Sequence, residues 1–255
     1  MIATLAALTA MNVMAKPSTK AILAESWQKT LVVGHRGAAD YEKENTLPAF
    51  EAGISAKASA VECDVHLSSD REMVVMHDAT LDRTTSLKGR IDATPWATMK
   101  AAGIPSLAEL TKVTKDRAVL VVEIKDGEGI EPMVVDHLRS EKLVDQSIIF
   151  SFHDDRLAKV EALAPELASV WLLSGAEVAR GKEAVFSNLE KIHADGVGFD
   201  YHSVTPEFVA EAHRRKLPVF VWTVPPGPEV ERLKAMKVNF IITNSPRHVR
   251  EQLSG

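Results

Sequence analysis

Short runs of β-branched and apolar residues alternate with stretches of helical period along most of this 255-residue chain. The runs predict nine strands, at Leu31 to His35, Ala60 to Val65, Met73 to His77, Val119 to Ile124, Ser147 to Phe152, Ser169 to Leu173, Gly196 to Asp200, Pro218 to Val224 and Asn239 to Thr243. Between most of them the pattern predicts helices, at Leu47 to Ala58, Pro132 to Ser140, Asp154 to Leu163, Leu189 to His193, Pro206 to Lys216 and Pro228 to Met236. Thr205-Pro206 places a capping residue before a proline at the first helical turn, and Pro228-Glu229 does similar work.

Strand then helix, repeated, implies parallel strands joined by crossovers, and eight such units close into a TIM (β/α)8 barrel, an α/β fold. The ninth strand is accounted for by spacing. Only seven residues, His66 to Glu72, separate Val65 from Met73, whereas a parallel crossover takes about a dozen or more. Met73 to His77 is therefore expected to fold back as a β-hairpin on the second strand, turning at Ser68 to Arg71. Residues 79–118 are too long for a simple connection. They mix turn residues (Lys88-Gly89, Gly103) with a short helical piece near Trp96 to Lys100, so a small excursion over about 66–118 is expected beside the barrel mouth. No composition break divides the chain, which reads as an N-terminal segment, 1–30, followed by one barrel domain, 31–252.

Residues 1–15 carry no charged side chain, and Val13-Met14-Ala15 has the small-residue spacing of a signal-peptidase site, although no Lys or Arg precedes the apolar run. Two expectations follow. Either 1–15 is an export signal, with a polar linker beginning at Lys16-Pro17 and a periplasmic or secreted protein, or it is a helix against the barrel bottom of a cytoplasmic one.

Composition narrows the function. At 45% apolar and 25% charged residues the chain is globular rather than disordered. The uncharged apolar stretch at the amino terminus, about 15 residues, is short of the roughly 20 that a membrane-spanning helix needs. Lys plus Arg 30 against Asp plus Glu 35 gives a net charge of −5, which disfavours nucleic acid or anionic lipid as a partner. The single cysteine, Cys63, excludes an intrachain disulfide and a Cys-based zinc site. A small-molecule substrate is left as the expected partner, and no feature sets an oligomeric state.

Barrel enzymes work at the end where strands stop and helices start. Polar residues interrupting the apolar strands gather at that end. His35 and Arg36 end the first strand, and Glu62 and Asp64 lie two apart on one face of the second. His77 and Asp78 end the hairpin, Glu123 and Lys125 share a face at the end of the next strand, and Trp222 lies late in the seventh barrel strand. Cys63, by alternation, points away from the carboxylates.

Three carboxylates, Glu62, Asp64 and Glu123, aimed at one point repel unless protonated, paired or neutralised by a cation. All-oxygen ligation suits one hard divalent ion, Ca²⁺, Mg²⁺ or Mn²⁺. His35 and His77 provide a general base and a general acid, and Arg36 and Lys125 fit an anionic group such as a phosphate. Together they point to phosphoryl chemistry. Asp78, Asp82 and Arg83 read as residues fixing the loop after His77, and His66, His153 and His202 as structural.

With these residues in view, the chain resembles the glycerophosphodiester phosphodiesterase family. The resemblance runs through Gly34-His35-Arg36-Gly37, Glu44-Asn45-Thr46-Leu47-Pro48-Ala49-Phe50, Val61-Glu62-Cys63-Asp64-Val65 and Val75-Met76-His77-Asp78-Ala79-Thr80-Leu81-Asp82-Arg83-Thr84-Thr85. It continues through Ile104-Pro105-Ser106-Leu107, Val122-Glu123-Ile124-Lys125, Ser151-Phe152, Val221-Trp222-Thr223-Val224 and Ile241-Ile242-Thr243-Asn244-Ser245-Pro246. It implies metal-dependent hydrolysis of glycerophosphodiesters, such as glycerophosphocholine or glycerophosphoethanolamine, to sn-glycerol 3-phosphate and an alcohol. On this resemblance His35 and His77 match the acid/base pair, and Glu62, Asp64 and Glu123 match the metal ligands. Arg36 and Lys125 match phosphate contacts, Trp222 an aromatic wall, and Glu44 a residue orienting the first loop or ligating directly. Calcium accompanies exported members and magnesium cytoplasmic ones. Two positions depart from the family pattern, Pro225-Pro226 in place of a usual Asn and Asn244 in place of a usual Asp. Both are expected at the pocket rim, bearing on headgroup preference rather than activity. A lysophospholipid substrate would ask for an apolar groove that 79–118 does not supply, and a non-catalytic phosphate-binding barrel would have lost a histidine or a metal carboxylate.

Overall fold

The computed structural model describes residues 16–255. In chain order the elements are α1 (Thr19–Ser26), β1 (Leu31–Gly34), α2 (Leu47–Ser55), β2 (Ala60–Leu67), β3 (Met73–Val75), α3 (Trp96–Ala101), α4 (Leu107–Thr114), β4 (Val119–Asp126), α5 (Ile130–Ser140), β5 (Ser147–Ser151), α6 (Asp154–Leu163), β6 (Ala168–Leu173), α7 (Gly175–Ala179), α8 (Lys182–Lys191), β7 (Gly196–Asp200), α9 (Pro206–Arg214), β8 (Val219–Trp222), α10 (Pro228–Ala235), β9 (Phe240–Thr243) and α11 (Pro246–Ser254). Every strand except β3 pairs in parallel with two neighbours, and β1 joins both β9 and β2, so the sheet closes into the expected eight-stranded barrel. β3 is antiparallel to β2, with Val65 opposite Val75 and Leu67 opposite Met73. The hairpin follows from its short loop.

Alternation along each strand separates two cores. Leu31, Val33, Ala60, Val119, Val121, Ile148, Phe150, Val170, Leu172, Phe220, Phe240 and Ile242 fill the barrel, with Phe220 and Phe240 stacked at 4.2 Å between centroids. Residues of opposite parity, including Val61, Cys63, Val65, Val122, Ile149, Val197 and Ile241, face the helices. On β7 the inward side is glycine at 196 and 198. A Cβ on Gly198 would lie 2.5 Å from Leu172 Cδ2, so the large side chain of one strand occupies the space its neighbour leaves.

The structure departs from the pattern reading after Lys16-Pro17 and within the excursion. The stretch read as a polar linker after Lys16-Pro17 contains α1, which closes the barrel bottom: Ile22 joins the inner core and Thr19 Oγ1 donates to the Ser147 carbonyl at 3.0 Å. Within the excursion, α4 packs against α2, β3 and β4 and so serves as a helix of the barrel's outer layer. Its start carries a Ser106/Glu109 capping box. What remains outside the barrel, from β3 through α3, has its own small core of Val74, Met76, Leu81, Ile91, Met99 and Ile104. The signal-peptide reading of 1–15 lies outside the described residues. Among those described, no helix is long and apolar enough to cross a membrane.

Candidate active site

Chain direction alone brings most of the polar residues together, because β1, β2, β4 and β8 run in parallel and end on one side. His35, Arg36, Glu62, His77, Glu123, Lys125, Trp222 and Thr223 line one cavity of about 110 Å³, with Phe150, Phe152, Leu172 and Ile242 as its apolar wall. Phe152 and Trp222 meet edge to face at 5.3 Å. A larger cleft of about 690 Å³ is lined by Lys29, Lys57, Lys234 and Lys237 and gathers no comparable chemistry. Size does not choose the site; the set of functional groups does.

The loop after β1 is the most constrained backbone in this region. Arg36 (φ 50°) and Asn45 (φ 57°) are both left-handed, a conformation that costs a residue other than glycine about 1–3 kcal/mol and concentrates at functional sites. The turn carries the Arg36 backbone N–H to Glu62 Oε2 at 2.9 Å and the Asn45 amide to Asp64 Oδ2 at 2.8 Å. Two backbone-strained residues thus orient two carboxylates.

Glu62, Asp64 and Glu123 are buried, and each offers an oxygen within 4.8 Å of the others. Lys125 Nζ lies 2.7 Å from Glu123 Oε1 and 3.3 Å from Asp64 Oδ1, and Arg36 Nε lies 3.5 Å from Asp64 Oδ2. These cations hold Asp64 down to about 2 against the effect of its burial. Burial and the two neighbouring carboxylates push Glu62 well above the usual carboxylate range, and Glu123 rises to about 7, chiefly through burial. Glu62 Oε1 is buried with no hydrogen-bond partner, and Asp64 Oδ1 has only its ion pair with Lys125. Buried carboxylate oxygens converging on one point with so few donors fit a hard divalent cation, whose charge removes the penalty of ionising all three. Glu44 stands apart from this group. It receives Arg36 Nη1 at 2.7 Å and is gripped by Arg83 at 2.7 and 2.9 Å.

The two histidines have unlike partners. His35 Nδ1 is 2.6 Å from Asn244 Oδ1, an amide, whereas His77 Nδ1 is 2.7 Å from Asp78 Oδ1, a carboxylate. Asn244 is therefore not a rim residue, contrary to the sequence reading. It lies one residue past the end of β9, keeps the inward parity of Phe240 and Ile242, and falls on His35. Burial, then the Arg36 charge, lowers the His35 imidazole to about 4. Burial lowers His77 too, but the Asp64 and Asp78 carboxylates oppose that shift. His66, read as structural, hydrogen-bonds the His77 carbonyl through Nε2 at 3.0 Å. His202 lies exposed, bonded to Asp200.

Similarity to known proteins decides the family. The sequence profile of the glycerophosphoryl diester phosphodiesterase family matches residues 35–248. The chain belongs to that family. It is 32% identical over 236 residues to a glycerophosphodiester phosphodiesterase of Caldanaerobacter subterraneus, spanning 86% of this chain and 95% of that one. It is 30% identical over 248 residues to the glycerophosphodiester phosphodiesterase of Bacillus subtilis, covering 86% and 84%. In fold it matches an Oleispira antarctica phosphodiesterase solved with its product sn-glycerol-3-phosphate, with a TM-score of 0.79, 24% identity and coverage of 90% and 99%.

Proposed function

We propose that this enzyme hydrolyses glycerophosphodiesters such as glycerophosphocholine and glycerophosphoethanolamine to sn-glycerol 3-phosphate and an alcohol, with His35 as proton acceptor and His77 as proton donor. The observation that carries the reading is one cavity lined by two histidines with unlike partners, by two phosphate-matching cations and by Glu62 and Glu123, with the buried Asp64 within 4.8 Å of both carboxylates. Family membership supplies the reaction class.

Glu62, Asp64 and Glu123 would hold a Ca²⁺, Mg²⁺ or Mn²⁺ ion, which would supply positive charge against the phosphoryl oxygens. Arg36 and Lys125 bind those oxygens from the protein side and hold the phosphorus in place. His35 donates Nδ1–H to Asn244, which leaves Nε2 bare to take a proton from the attacking hydroxyl, that of water or of the substrate's own glycerol. His77 is backed by a carboxylate that favours its protonated form, so its Nε2 is the proton source for the departing alkoxide. Trp222 and Phe152 wall off solvent on the far side. Among the described residues the exposed large apolar side chains are Trp27 and Leu163, neither of them lining the cavity, which favours a short polar diester over an acylated one.

The test is release of glycerol 3-phosphate from glycerophosphocholine after chelation and after separate addition of Ca²⁺, Mg²⁺ or Mn²⁺. Loss with chelator and return with an ion is expected. No glycerol 3-phosphate from the diester with any ion, together with formation of lysophosphatidate from a lysophospholipid, would overturn the substrate assignment.

A further inference from the structure

His77 comes from the excursion rather than from a barrel strand, and what ties it to the barrel is narrow. β3 contributes three residues of pairing to β2, the Met76 N–H reaches the Asp64 carbonyl at 3.0 Å, and His66 Nε2 on β2 meets the His77 carbonyl at 3.0 Å, all of them holding backbone and none the imidazole. Arg36, on the loop after β1, has no backbone link to this segment. The connection runs through Arg83. Its Nε and Nη2 donate to the two Asp78 oxygens at 2.7 and 2.9 Å, and its Nη1 and Nη2 donate to the two Glu44 oxygens at 2.9 and 2.7 Å. Asp78 holds His77, and Glu44 holds Arg36. One guanidinium thus links the side chain behind the proton donor to the side chain behind a phosphate contact, using the fork geometry that suits arginine and not lysine.

We propose that Arg83 is a positioning residue, fixing His77 relative to the bound phosphoryl group through Asp78 and Glu44, so that proton donation to the leaving alcohol depends on it. The proposal rests on the function argued above. Arg83 is half exposed, with 48% of its side chain accessible, and exposed ion pairs add little to stability. Such a clamp earns its place through geometry. A misplacement of about 1 Å at a reacting group costs about a hundredfold in rate.

A leaving group that needs no proton separates this role from a merely structural one. The enzyme, with its activating ion, is assayed on glycerophosphocholine, which expels an alkoxide, and on glycerol 3-(4-nitrophenyl) phosphate, which expels a stabilised phenolate. Arg83→Ala is expected to lower kcat on the choline ester by about a hundredfold with KM within about threefold, and to raise the ratio of aryl to choline kcat at least about tenfold. His77→Ala sets the ceiling for that ratio. Arg83→Lys, which reaches one carboxylate but not both, is expected between wild type and Arg83→Ala and serves as the readout should the alanine variant fold poorly. Equal losses on both esters, or no loss on either, would overturn the proposal. If the wild-type enzyme cleaves neither ester with any divalent cation, the function itself is wrong and this role falls with it.

Discussion

Gly37 and His35 show how closely single residues constrain this site. Gly37 has φ +87°, and a Cβ there would lie 2.5 Å from the Ala49 carbonyl carbon and 2.6 Å from Phe50 N. Both contacts are backbone, so α2 would have to move away from β1. Gly37→Ala is expected to cost about 2–4 kcal/mol in urea unfolding and to displace the Arg36 N–H from Glu62. His35 depends instead on the chemistry of one partner. It accepts a proton only when neutral, and its folded pKa of about 4 lies below the ordinary histidine value of 6.5, so on the acid side it stays competent until near pH 4. Asn244→Asp would put a carboxylate at Nδ1, stabilise the imidazolium and raise that pKa by about one unit or more. The acid limb of kcat/KM against pH should then move upward, toward neutrality. An unmoved limb would remove His35 from the proton-acceptor role.

At the scale of elements, the excursion is a separate small core that carries His77. Met99, fully buried in it, is not among the residues that line the cavity. Met99→Ala is expected to cost about 2–5 kcal/mol locally and to let the excursion open before the barrel. Activity should then be lost at lower urea than the barrel's far-UV signal, whereas coincident transitions would mean that excursion and barrel unfold as one. All nine strands were legible because β-branched runs are dense and alternate cleanly. The helices were less so. α4 ends in Thr111, Val113 and Thr114, residues of modest helix propensity, and its one clear signal was the Ser106-x-x-Glu109 capping box. α11 has a stripe of helical spacing, but it is only Pro246, Val249 and Leu253 among charged and polar neighbours, too short to stand out. α1, inside a stretch read as linker, has Ile22 as its one buried aliphatic. Within the site, the charged residues were visible from strand-end placement, but Asn244 lies 209 residues from His35, and nothing local marks that pairing. Its parity with Phe240 and Ile242 was the available signal.

The barrel as a whole confronts the cost of pointing three carboxylates at one another from β2 and β4. Glu62 lies well above the usual range and Glu123 at about 7, so without a cation the native protein near neutral pH retains protons that a bound divalent ion must expel. Ion binding and proton release are therefore linked. The sign follows from which state holds more protons. The ion-free native state holds them, so falling pH favours it, and the stabilisation added by a fixed Ca²⁺ or Mg²⁺ concentration should be smallest near pH 5. It should grow by about 1.4 kcal/mol per pH unit for each proton displaced, and the slope should lessen above about pH 7, where Glu123 ionises without help while Glu62 still holds its proton. Melting temperatures with and without the ion across that range measure the increment, and calorimetric titration in buffers of different ionisation enthalpy counts the protons directly. A flat increment with no proton release would mean that the carboxylates are ionised before any ion arrives. Arg36 and Lys125 would then already neutralise the triad, and the ion would bind for its contacts with substrate rather than to relieve the barrel's own repulsion.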